Sequence, residues 1–302
     1  LTNEYAIASR DELWTGGALA ESRLAHGRAI RNGAELVADD TPDAALVQRC
    51  DARFAEMRGV IDALAPLRIR GVVEVSVEDG VALDSVTLTI AAGGMSIVTT
   101  PEHAMTDAAM LRALLATAPV TTVDGGAYPL VWRNGTAAVL FHEAAGHAAE
   151  HAQTDRVAWP EWLRVRDVSR AGDADLLAGE SPRARRRATF RDVPMPRMTK
   201  LVAEQHAAPF ALPAERIDVH LVAGGAYDPL TDEVTLRIAV ADLVTHDRVQ
   251  RVKPFELRRT RAAVARSIAG ADGEPLRYPG VICSREGQEL VVESFAPVVI
   301  TT

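Results

Sequence analysis

Between Thr136 and Glu150 the chain reads Thr-Ala-Ala-Val-Leu-Phe-His-Glu-Ala-Ala-Gly-His-Ala-Ala-Glu. Two imidazoles and a carboxylate close an otherwise apolar run, and such groups are buried only with partners. A metal ion would supply them, with the carboxylate beside it as a base. The spacing is the tightest constraint. Histidines four apart share one face of a helix, whereas His142 and His147 are five apart. On a regular helix that separation turns the rings about 140° from one another, too far for one ion. The stretch therefore predicts a helix with a π-bulge, which brings i and i+5 into line, or with another break beside Gly146. Gly146 suits that distortion, or a very close approach of another chain segment. The plain alternative is a helix carrying two unconnected polar histidines.

A catalytic zinc usually takes three protein ligands and leaves one position open, so two histidines are too few. Chemistry alone leaves Glu150, His151, His220, His246 and Cys283 as candidates for the third. Glu150 and His151 come one turn after His147 and suit a structural role equally well. His220 sits in an alternating strand, where a satisfied polar residue is common. Cys283 lies at a strand end before a Gly287-Gln288 turn, and a thiolate is a strong zinc ligand. Cys50 falls on the apolar stripe of an earlier helix and reads as a small buried hydrophobe. Two such separate cysteines do not make a disulfide framework.

The 302 residues suffice for two ordinary domains with a sizeable core. A net charge of −8 argues against general nucleic-acid binding. Only Lys200 and Lys253 are lysines among 33 basic residues, a bias that fits a GC-rich genome better than a function. No apolar run is long enough for a bilayer and no signal segment is evident, so a cytoplasmic location without membrane attachment is expected.

Along the chain, residues 1 to about 35 read as short strands and a turn, with 18–30 ambiguous between helix and strand. Thr41-Pro-Asp starts a helix, with Pro at its first turn. Leu46, Cys50, Phe54, Met57, Ile61 and Leu64 form its buried stripe. Alternation predicts strands over 68–97 with a turn at Asp79-Gly80, followed by a helix over 106–116. A connection over 120–126 leads to a strand ending at Trp132, and Asn134-Gly-Thr136 is a turn and helix cap. Residues 154–179 look irregular. The run Arg183–Arg187 reads as a solvated loop or an anion clamp. Gly224-Gly225 reads as a turn between strands, and 254–267 as a strand and a helix. The expected class is α+β: an N-terminal α+β domain over 1–122 and a β-rich metal-binding domain over 123–302.

The motif His142-Glu-Ala-Ala-Gly-His147-Ala-Ala-Glu150 resembles the signature helix of the TldD/PmbA family of metalloproteases. Gly125-Gly-Ala-Tyr-Pro-Leu-Val-Trp resembles the strand preceding that helix. Arg197-Met-Thr resembles the family's Arg-Met-Thr-Asn segment, with Lys200 where Asn is usual. Gly224-Gly225 with Asp228-Pro229, and Cys283 with Gly287-Gln288, resemble later motifs. The resemblance implies one zinc held by His142, His147 and Cys283, with Glu143 as the general base that activates water. It also implies a heterodimer: a metal-bearing TldD-like subunit, such as this chain resembles, pairs with a PmbA/TldE-like subunit lacking the ligands. The N-terminal part looks shortened against typical members. The expected activity is hydrolysis of extended or unstructured peptides; hydrolysis of a small peptide-like amide in natural-product tailoring is the alternative. A non-catalytic partner subunit would not need the four residues.

Overall fold

The stripe of six apolar residues predicted for the first helix is the one that is buried. Leu46, Cys50, Phe54, Met57, Ile61 and Leu64 line one side of α1 (Ala44–Leu64). Each such side chain contributes about 1.5–3 kcal/mol relative to exposure. Asp43 is the N-cap, its carboxylate accepting from the N–H groups of Ala45 and Leu46. Pro42 therefore stands just before the helix rather than in its first turn.

The computed structural model describes residues 2–32, 35–65, 67–78, 81–123, 127–151, 157–188 and 192–302. The expected turn at Asp79-Gly80 lies outside them. The fold is mixed α+β, mostly strands, and divides into two units. One comprises Leu1–Arg112 with Arg187–Val193 and Ser284–Leu290; the other comprises Ala113–Arg186, Pro194–Cys283 and Val291–Thr302.

In the first unit β1 (Thr2–Thr15), β2 (Ala18–Asn32), β3 (Glu35–Asp39), β4 (Arg68–Glu78), β5 (Val81–Ala92) and β6 (Met95–Thr99) make an antiparallel sheet in the order β6-β5-β4-β1-β2-β3. The N-terminal strands are long, not short, and 18–30 is strand. β1 gains backbone partners on both sides, from β2 and β4. The described side chains of β2 up to Ala25 are exposed, so no burial pattern announces that strand in the sequence. α1 packs on this sheet: a methyl at Gly71 would sit 2.6 Å from the Met57 methyl carbon, and the Cys50 thiol donates to the Val73 carbonyl. α2 (Ala104–Leu115) follows β6 and is tied back by the Thr99 hydroxyl, which donates to the Asp107 carboxylate.

In the second unit β7 (Leu130–Trp132) is central, parallel to β13 (Arg216–Asp228) and antiparallel to β18 (Gln288–Thr301). Trp132 donates its indole N–H to the Thr301 hydroxyl. From β7 the chain reverses through Asn134 and Gly135, both at positive φ, straight into the motif helix. That helix comprises α3 (Ala137–Phe141), a π-helical segment (His142–His147) and α4 (Ala148–Glu150). Thr136 caps nothing with its side chain; its hydroxyl donates to the Arg133 and Val219 carbonyls and pins the turn to β13.

Residues 154–179 were expected to be irregular, but they contain β8 (Leu163–Asp167) and β9 (Ala174–Asp175). Arginines at 164 and 166 alternate with buried Leu163, Val165 and Asp167 and disguise a short strand. β10 (Arg185–Arg186) and β11 (Met195–Pro196) form a small ribbon, and β12 (Lys200–Gln205) bridges β8 and β18. Gly224-Gly225 is not a turn but lies inside β13, where pairing to β14 (Glu233–Val244) shifts register between Val222 and Gly225. β14 also pairs β15 (Val249–Val252) and β16 (Phe255–Thr260); α5 (Arg261–Ser267) then leads into β17 (Ile268–Arg285), beside β18. Among the described residues no helix is long and apolar enough to cross a membrane.

Removing the α1 cap should be measurable. Asp43→Ala is expected to cost about 1 kcal/mol of stability in chemical denaturation. An unchanged midpoint would show that the cap is energetically idle.

Candidate metal centre

Three elements supply the site, and all belong to the second unit. The motif helix carries His142, Glu143, His147 and Glu150; β13 carries Gly225; β17 carries Cys283 near its end. The π segment runs from His142 to His147, so the expected widening of the helix is present over the interval between the histidines. Their rings stand edge to face with centroids 4.9 Å apart. A methyl on Gly146 would collide with the Met198 sulfur, and one on Gly225 would lie 2.6 Å from Glu143 Cγ. Both glycines therefore make room: the first for a side chain against the helix backbone, the second for the Glu143 side chain against the strand.

His142, His147 and Cys283 offer one ligand atom each, all within 4.8 Å of one another, and could hold a metal ion. Cys283 Sγ lies 3.6 Å from His147 Nε2. Usual zinc–sulfur and zinc–nitrogen lengths at a tetrahedral angle put those two atoms about 3.6 Å apart. His142 is fully buried, and neither of its ring nitrogens has a hydrogen-bond partner. An orphaned buried imidazole is costly without a ligand to bind. Burial, with the charges of His147 and Arg197, holds His142 well below the usual histidine range and so neutral, the form that binds a metal.

Burial also depresses His147, but the Cys283 and Glu150 side chains and the Glu143 charge outweigh it and push the ring up to about 10. Its Nδ1 is 3.2 Å from Glu150 Oε2, which leaves Nε2 facing Cys283. Glu143 Oε2 is 3.6 Å from the same Nε2, has no hydrogen-bond partner, and is pushed up to about 7 by burial, with the His147 charge opposing. A carboxylate poised near neutrality beside the donor atoms can exchange a proton with a reactant there. Glu150 feels burial most, yet the His147 contact and charge, the Met198 N–H and Arg197 hold it below its usual range.

The other candidates fall elsewhere. His220 Nε2 lies 3.1 Å from Asp242 Oδ2, in the satisfied polar role expected of a strand histidine. His246 is exposed between β14 and β15, and His151 is exposed beyond α4 with its ring 6.3 Å from that of Tyr227. Cys50 belongs to the first unit. In the basic run, Arg185 donates to the Pro194 carbonyl and Arg186 to those of Met198 and Val291, so two of its guanidiniums bind backbone. Lys200 Nζ lies over the Phe295 ring, 4.6 Å from its centroid. The sequence reading missed the contacts of Glu150 and Arg197. A Glu three residues after a candidate ligand histidine was the available signal, since such pairs share a helix face.

No family model matches the sequence, and no curated protein does. Solved structures do. The whole chain superposes on TldE from Thermococcus kodakarensis, with a TM-score of 0.54, 9% identity and 96% of that chain covered. Over 99% of its length it superposes on TM0727 from Thermotoga maritima, a candidate DNA gyrase modulator, with a TM-score of 0.53, 8% identity and 94% of that chain covered. At such identities the likeness is one of fold, which both proteins share with this chain.

Two outcomes follow from the geometry. Gly146→Ala should weaken metal uptake because the new methyl meets Met198, and Met198→Ala in the same chain should restore part of it; titration with a chromogenic chelator would show both. The His147 proton must leave for Nε2 to bind a metal. With that ring raised to about 10, uptake at pH 8 should release a proton and affinity should rise with pH below that value. Following the His147 ring by NMR as the metal-free chain is titrated checks its charge, and a ring already neutral at pH 8 would overturn this.

Proposed function

We propose that the chain is a zinc-dependent peptidase of the TldD type, with His142, His147 and Cys283 as the metal ligands and Glu143 as the general base. The observation that carries the reading is Glu143 Oε2, 3.6 Å from His147 Nε2 and without a hydrogen-bond partner, beside a buried set of two imidazoles and a thiol. Imidazole and thiolate donors suit zinc. When bound, zinc would act as a Lewis acid on a carbonyl and lower the pKa of water. Glu143 takes the proton of the attacking water and delivers it to the leaving amide nitrogen. In the metal-free chain burial pushes this carboxyl up to about 7, against the His147 charge. Gly225 keeps the carboxylate in place by leaving its strand face bare.

The substrate class proposed is an extended or unstructured peptide, and the partner a PmbA/TldE-like subunit that lacks the ligands. The fold similarity to TldE supports that family setting. It does not separate the two subunit types; the intact ligand set and Glu143 favour the catalytic one. Lys200, where the family pattern has Asn, favours a second reading: a small peptide-like amide as substrate.

Elemental analysis of the purified chain, with a peptide-library assay in the presence and absence of a co-expressed partner, tests the proposal. One zinc per chain and cleavage of unstructured peptides are expected. Replacing either histidine or Cys283 with Ala should abolish stoichiometric zinc. Glu143→Gln should keep zinc and lose about a hundred- to ten-thousandfold in turnover. A metal-free active chain, or a Glu143→Gln variant at full rate, would sink the reading.

A further inference from the structure

Glu150 is among the most deeply buried acids of the second unit and sits three residues after His147. Its two oxygens have different tasks. Oε2 lies 3.2 Å from His147 Nδ1, on the ring edge opposite the nitrogen that faces Cys283. Oε1 accepts from the Met198 N–H at 2.8 Å and lies 3.5 Å from Arg197 Nε. Arg197 is fully buried, and its other arm donates to the Cys283 backbone carbonyl at 2.7 Å. A continuous polar path thus runs from the His147 ring, through one carboxylate and one guanidinium, to the peptide group of Cys283.

That path joins groups far apart in the chain: Arg197 is 86 residues from Cys283, and Cys283 is 136 from His147. A buried ion pair is by itself no stability device, because desolvation cancels most of its attraction. Its geometry is useful, however. A planar guanidinium, whose donors stand in a rigid fork, fixes a direction as well as a distance. A carboxylate on the far nitrogen of a ligand histidine sets both tautomer and ring orientation. Ligands on two separate elements need a common reference to aim at one point, and this pair supplies it.

We propose that Glu150 and Arg197 form one positioning unit that holds the His147 ring and the Cys283 thiol in register for a shared metal ion. Neither residue touches the ion. The inference rests on the reading of His142, His147 and Cys283 as ligands, and it adds that their affinity for metal is set by two residues outside the ligand set.

The test uses the full chain with Zn²⁺ and Co²⁺ as probes. Glu150→Gln keeps shape and removes charge; Arg197→Lys keeps charge and removes the two-armed geometry. Glu204→Gln, at a carboxylate paired with Arg166, is the control. Zinc affinity by chelator competition should fall about ten- to a hundredfold in Glu150→Gln. The thiolate-to-cobalt absorption band per bound Co²⁺ should shrink in Arg197→Lys, since the carbonyl holding Cys283 loses its donor. The double variant should lose no more affinity than the worse single variant, because both changes break one unit. Glu204→Gln should match the parent, with folding of all variants verified by circular dichroism. Parent-like affinity and cobalt spectrum in folded Glu150→Gln and Arg197→Lys would overturn the inference while leaving the ligand assignment standing. A parent chain that takes up neither ion would overturn both.

Discussion

Five-residue spacing between two imidazoles on one helix is the constraint to which the second unit is built. A regular helix cannot bring His142 and His147 together. The backbone widens over the interval between them, and the ring centroids come to 4.9 Å. A widened turn is poorer in helical geometry and persists only where its surroundings hold it. Here Met198 lies against Gly146, the helix leaves the central strand β7 through a reversal pinned by Thr136, and β13 closes on Glu143 at Gly225.

The same burial that holds the helix sorts its ionisable groups. His142 is kept neutral, His147 is held protonated in the absence of metal, Glu150 stays ionised, and Glu143 sits near neutrality. Four groups within nine residues acquire four different behaviours from their neighbours. Environments that push acids and bases apart in this way are how a site separates binding from proton transfer. Glu150 owes its ionisation to partners from the 197–198 segment as well as from its own helix, so the division of labour exists only in the folded chain.

Much of this was legible in the sequence, for reasons that are local. The stripe from Leu46 to Leu64 follows helical periodicity, and burial obeyed it. If His142 and His147 share one ion, their spacing calls for a π-bulge or another break, and the helix is π-helical over that interval. Helix and strand over 254–267 were readable from short-range pattern, as β16 and α5 show. Gly224-Gly225 misled, because paired glycines signal a turn when read locally, whereas Gly225 answers to the side chain of Glu143 from another element. β2 was obscured by a uniformly exposed stretch, whereas β8 does alternate but over only five residues.

What the sequence by itself determined was the donor inventory: two imidazoles, a neighbouring carboxylate and a distant thiol among five candidate third ligands. Donor chemistry alone left those five open, and the family resemblance pointed to Cys283. Tertiary structure brought Cys283 to 3.6 Å from His147 and left His220 with Asp242, because strand order, not sequence spacing, decides which side chains share a point in space. It alone gave Glu150 its partners across the fold, the Met198 N–H and Arg197, besides His147 on its own helix. A carboxylate's role is fixed by what faces it, and Glu150 meets Met198, 48 positions on, only in the folded chain.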